Sequence, residues 1–145
     1  MAISVIPYLG FNGNCKEAVE RYISIFGGQI YHISFWGQEN CDESSRWGKV
    51  MHVEFDLGDT RMSASDTPFQ FVNDGAVRLM IHMDGKDEAL KAVESLSEGG
   101  TILNPLLPHP KPDDSGMGAV VKDKYGYQWI FTCPNPGPLS RFRTN

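Results

Sequence analysis

The chain has 145 residues, 41% hydrophobic and 21% charged, which suits one compact domain with its own core. A net charge of −5 with no run of Lys or Arg argues against a nucleic-acid interface or an anionic-membrane surface, since both need clustered cations. No apolar stretch approaches the length of a membrane span, and no basic segment precedes an apolar core at the N-terminus, so no membrane association and a cytoplasmic location are expected.

Cys15, Cys41 and Cys133 are widely spaced and form no CxxC, so reduced thiols are expected rather than a disulfide framework or a structural zinc site. The first strand is expected over Ile3–Phe11, with Pro7 marking an edge or a bulge. Asn14 reads as a helix cap, and Glu17 completes a capping-box pattern. Ala18, Val19, Tyr22, Ile25 and Phe26 then recur on one helical face until Gly27-Gly28 ends it. A strand over Gln29–Trp36 leads into a polar loop over 37–49. Strands over Val50–Leu57 and Thr60–Ser65 flank a turn at Gly58-Asp59, and turn formers follow over Asp66–Asp74.

The order then begins again. Ala76–Met83 reads as a strand, and Asp84–Gly100 as a helix with Leu90, Val93 and Leu96 inward and Gly99-Gly100 as its stop. A short strand over Thr101–Asn104 precedes a Pro-rich loop over 105–117, and a hairpin of "GAVVKD" and "YQWIFT" closes the pattern. The chain thus reads β-α-β-β-β twice, with module one over about 1–66, a linker over about 67–74, module two over about 75–135 and a tail over 136–145. Three strands after each helix, joined by hairpin turns, favour an α+β arrangement of antiparallel-rich sheets over a parallel α/β sheet.

"PYLGFNGNCKEAVERYISIFGG", "MHVEFDLGDTRMSASD" and "KDKYGYQWIF", in this element order, resemble the vicinal oxygen chelate superfamily, which includes glyoxalase I, extradiol dioxygenases and bleomycin-resistance proteins. Within it the chain is most similar to the PhnB-like branch, also labelled 3-demethylubiquinone-9 3-methyltransferase-like. The resemblance implies a single domain of two βαβββ modules, with sheets curled into a cup, helices outside and a homodimer. The methyltransferase label finds no counterpart in the residues, because "GFNGN" lies between strand and helix without the GxGxxG spacing.

The resemblance also implies where metal enzymes of this superfamily place their ligands: here at Pro7, near Ser63–Ser65, at Arg78 and at Ile130. Proline and isoleucine have no side-chain donor, and Arg78 would repel a cation, so no metal and no other cofactor is expected. A non-standard set of His52, Glu54 and His82 stands as the alternative, because residues two apart on a strand share a face.

Alternation leaves Pro7, Leu9 and Phe11 for the cup, together with Ser63, Ser65, Arg78, Met80, His82, Gln128 and Ile130. Tyr127, Trp129 and Phe131 face a helix. A partly apolar hollow with a few polar groups suits a small organic ligand, and a buried Arg78 would dock a carboxylate or phosphonate or pair internally with Glu54. The loops 37–49 and 105–117, with Trp36, Trp47 and His109, are candidate lids. Three roles follow: metal-independent binding of a small ligand, an enzyme using His52, Glu54 and His82 or His82 beside Arg78, and a purely structural dimer.

Overall fold

The computed structural model describes residues 2–137, and the chain divides into two units, Met1–Val72 and Asn73–Asn145. Most of the expected tail, residues 138–145, lies outside the described residues. No helix among the described residues is long and apolar enough to cross a membrane.

The first unit runs β1 (Tyr8–Phe11), α1 (Cys15–Phe26), β2 (Ile30–Phe35), a single 3-10 turn (Ser44–Arg46), β3 (Val50–Leu57) and β4 (Thr60–Asp66). Its sheet has the order β1-β4-β3-β2, with β1 parallel to β4 and the other pairs antiparallel. The second unit runs β5 (Leu79–His82), α2 (Lys86–Ser97), β6 (Thr101–Pro108), β7 (Gly116–Lys122) and β8 (Gln128–Pro134). Its order is β5-β8-β7-β6, and again only the first and last strands pair in parallel. The two βαβββ modules therefore repeat in pairing as well as in element order, giving an α+β fold of two mixed four-stranded sheets.

In each unit the helix packs on one face of the sheet. Cys15, Ala18, Val19 and Tyr22 of α1 are buried, as are Val53, Phe55, Met62 and Ala64 on the strands beneath. Ala89, Ala92, Val93 and Leu96 of α2 are buried with Ala119, Val121, Trp129 and Phe131. Leu90, expected inward, lies exposed on the flank of α2, and Ala89 and Ala92 take the inner face instead.

Both helices leave through a glycine pair. Gly27 and Gly99 have φ of 81° and 77°, which L side chains adopt only at a cost. The second glycine of each pair lies against a neighbouring strand: a Cβ on Gly28 would collide with the carbonyl of Asp56, and one on Gly100 with that of Lys122.

Several boundaries differ from the sequence reading. β1 begins at Tyr8, because Pro7 has no N–H to pair; its carbonyl accepts the Ser63 N–H at 3.0 Å and residues 3–6 are exposed. β5 begins at Leu79 rather than Ala76, because the side chains of Asn73 and Asp74 accept the N–H groups of Gly75 and Ala76 (2.9 Å each) and hold a turn there. β6 runs on to Pro108, so the expected loop 105–117 is shorter. Pro105 and Pro108 fit because β6 is an edge strand with register shifts.

The cap of α1 is also not the expected one. Asn14 makes no side-chain cap bond, and Asp66 at the end of β4 takes that role. Its Oδ1 accepts the N–H groups of Gly13 (2.8 Å) and Cys15 (3.0 Å), and its Oδ2 accepts that of Val50 (2.9 Å) at the start of β3. Replacing Asp66 with Ala removes the acceptor of all three at once. The expected result is a loss of about 3 kcal/mol or more in urea unfolding, with a smaller loss for Asp66→Asn, which retains one carbonyl oxygen. A stability change within about 0.5 kcal/mol for Asp66→Ala would contradict this role.

Candidate functional site

The face of the first sheet opposite α1 carries a polar row. Tyr8 on β1 pairs with Ser63 on β4, Ser63 with Glu54 on β3, and Glu54 with His32 on β2. Paired residues share a face, so the four side chains cross the sheet from edge to edge. In the adjoining row Gly10 pairs with Ser65, and His52 with Ser34. Phe71 lies over Gly10, where a Cβ would meet its ring.

His52 joins the two rows. Its Nδ1 lies 3.3 Å from the Tyr8 hydroxyl, and its Nε2 faces Glu54 Oε1 at 3.8 Å. The His32 ring centre is 6.4 Å from that of His52. His52 and Glu54 are half-buried, and Ser63 and Ser65 are buried. Further along the face, the Arg61 guanidinium stacks over Tyr31 at 4.7 Å and pairs with Asp56 at 3.5 Å, while the Tyr31 hydroxyl donates to the same carboxylate.

The structure thus brings together His52, Glu54, Ser63 and Ser65 of the expected residues. It adds Tyr8 and His32, which the sequence reading left out, and sends Leu9 and Phe11 into the core rather than toward the open face. Alternation alone holds the signal for Tyr8: once apolar Leu9 and Phe11 are turned under α1, Tyr8 must face the other way.

The remaining expected residues lie in the second unit. His82 is exposed; its Nδ1 is 2.9 Å from Thr132 Oγ1, and its Nε2 lies 3.8 Å from Asp84. Gln128 packs against Gly75, where its amide occupies the space of a Cβ. Arg78, expected on a strand and buried, is exposed and precedes β5, because the Asn73 and Asp74 turns delay the strand. The ring of His109 lies over Gly118.

The loop over 37–49 is folded on itself. Trp36 N–H donates to the Lys49 carbonyl and Gly48 N–H to the Trp36 carbonyl (2.9 Å each), Gly37 N–H donates to Asn40 Oδ1 at 2.8 Å, and Trp47 Nε1 donates to the Cys41 carbonyl at 2.7 Å.

The family model described as 3-demethylubiquinone-9 3-methyltransferase matches residues 3–132. The chain belongs to this PhnB-like family. Among solved structures, a protein from Pseudomonas aeruginosa (PA1353) is 27% identical, covers 92% of this chain and 98% of its own, and has a TM-score of 0.79. A PhnB protein from Bacillus cereus is 26% identical, covers 90% and 99%, and has a TM-score of 0.77. A fosfomycin resistance protein, FosX, from Mesorhizobium loti shares the fold at 10% identity and a TM-score of 0.60, with coverage of 98% and 99%. A comparison with curated proteins gives no match.

The divalent ion that the resemblance to metal enzymes implies does not fit the residues at the positions it implies. Pro7 and Ile130 offer no side-chain donor, and Arg78 carries a fixed positive charge. Of the alternative set, His52 turns its two nitrogens to Tyr8 and Glu54 in the first unit, and His82 turns Nδ1 to Thr132 in the second. Among the described residues, no group of three or more His, Cys, Asp or Glu is placed to hold a metal ion.

Cys15 sits at the start of α1, where a helix N-terminus lowers the pKa of an accessible thiol. Here burial, with the Asp66 carboxylate adding to it, pushes the thiol up to about 12. Burial also raises Cys133. A thiol reagent at pH 8 should therefore modify Cys41 alone in the native protein and all three cysteines after unfolding. Rapid native modification of Cys15 would contradict its burial.

Proposed function

We propose that the protein binds a small organic molecule on the open face of its first sheet without using a divalent metal. The observation that carries this reading is the His52 imidazole set between the Tyr8 hydroxyl and the Glu54 carboxylate, in a polar row that spans the sheet opposite its helix. Such a face offers donors and acceptors side by side on rigid strands, which fixes the orientation of a small ligand. With Arg78 exposed, the row itself supplies the polar contacts. Methyl transfer is not part of the proposal, because Asp66 already fills the α1 N-terminus that a nucleoside-type turn would leave open for a cofactor phosphate.

Native mass spectrometry of protein purified without chelators tests this reading. A small-molecule adduct is expected in the wild type and should be lost in the doubly substituted His52→Ala, Glu54→Gln protein. Elemental analysis of the same samples should find no stoichiometric Zn, Ni, Mn or Fe. Stoichiometric metal would replace this reading with the enzyme alternative built on His52, Glu54 and His82. An adduct that survives both substitutions would move the site elsewhere.

The proposal includes a homodimer in a reducing, cytoplasmic setting. Free Cys15, Cys41 and Cys133 support the setting, and exposed Val5, Phe69, Val77 and Met80 (93%, 68%, 79% and 66% exposed) supply apolar surface for a second copy. Sedimentation velocity at micromolar concentration should give a dimer, and a clean monomer would remove this part of the proposal.

A further inference from the structure

A cleft of about 290 Å³ lies beyond the ends of β1 and β4 in the first unit and shares no residue with the row from Tyr8 to His32. Its walls are the turn before α1 (Asn12, Gly13), the β2–β3 loop (Trp36, Arg46, Lys49) and the segment after β4 (Thr67, Pro68). The cleft is held open by bonds made around it. Asn12 Nδ2 donates to the carbonyls of Thr67 and Phe69 (3.2 Å each), and Trp36 N–H donates to the Lys49 carbonyl at 2.9 Å.

Charge sets what the cleft accepts. Glu43 and Asp66 also line it, yet no carboxylate among the described residues lies within 4.0 Å of Arg46 or Lys49. Asp66 is bound to three backbone N–H groups. Among the described residues, Lys49 Nζ reaches only the Gly13 carbonyl, at 3.4 Å. The Arg46 guanidinium lies 4.2 Å over the Trp36 ring, which uses its flat face and leaves the in-plane N–H donors for an acceptor. The Trp36 Nε1–H is buried and has no acceptor among the described residues, although a buried donor is normally paired.

We infer that this cleft is a binding site for a small oxyanion-bearing molecule, a carboxylate or a phosphate ester, held by Arg46 and Lys49 against Trp36. Its volume lies at the small end for ligand pockets, so the occupant is metabolite-sized. The stacked Arg46 guanidinium fork and the Lys49 ammonium, neither of them in an ion pair among the described residues, form a complementary donor set for a planar or tetrahedral oxyanion. The site stands independently of the proposed ligand face on the sheet.

The test titrates the intact protein with inorganic phosphate and, separately, with acetate, at ionic strength held constant with KCl, while following tryptophan fluorescence. A saturable response to at least one probe is expected, weakened roughly tenfold or more by Lys49→Gln and by Arg46→Gln and unchanged by His52→Ala. Lys49 is exposed, so its variant keeps the fold and the test decisive even if the Arg46 variant is destabilised. No saturable response to either probe up to about 50 mM, equal to binding no tighter than about 2 kcal/mol, would overturn the inference. So would a response that KCl alone reproduces, or one that Lys49→Gln leaves intact.

Discussion

One carboxylate ties together the three segments of the first unit that do not meet through the sheet alone. Asp66 ends β4, and its two oxygens reach the turn after β1, the first residue of α1 and the first residue of β3. A buried carboxylate without partners would be strongly unfavourable, whereas one that accepts three backbone donors satisfies groups that would otherwise be orphaned. The same bonds fix where the helix begins, hence which of its residues face the sheet, and so which face of β3 and β4 remains open.

The second unit meets a similar need with a different residue. Asp123 lies in the β7–β8 turn, where its Oδ1 accepts the N–H groups of Tyr125 and Tyr127 and its Oδ2 accepts Trp129 Nε1, each at 2.9 Å. This carboxylate organises a hairpin and orients the largest core side chain instead of capping a helix. The units thus repeat in strand order while each uses its own buried acid at its own junction. The repeated device is the glycine pair after each helix, where one residue supplies a left-handed turn and the next lets two backbones approach.

Much of this was legible in sequence because it depends on local chemistry. The helices followed from periodic apolar residues, the closing hairpin from its turn and its alternation, and the repeat from Gly27-Gly28 and Gly99-Gly100. The candidate face was only half legible. His52 and Glu54 share a face by strand geometry alone, but the phase of β1 depends on where it pairs with β4, and that placed Tyr8 rather than Leu9 and Phe11 beside Ser63. Arg78 was misplaced for a related reason: two side-chain-to-backbone bonds from Asn73 and Asp74 delay the strand, and nothing in the apolar pattern announces them. The cap by Asp66 was invisible because two of its partners lie far away along the chain.

The parallel pairing of β1 with β4, and of β5 with β8, bears on how the protein is made. Among the described residues, the opening strand of each unit pairs with its closing strand, with nearly the whole module between them. During synthesis neither opening strand has a partner until its module is complete. Its one interior edge stays unpaired while helix and hairpin assemble, and pairing then closes a long loop at an entropic cost that the local turns do not bear. The modules are therefore all-or-nothing units for the ribosome and for the chaperones that meet the nascent chain: a truncation inside either one leaves a strand edge exposed rather than a smaller stable sheet.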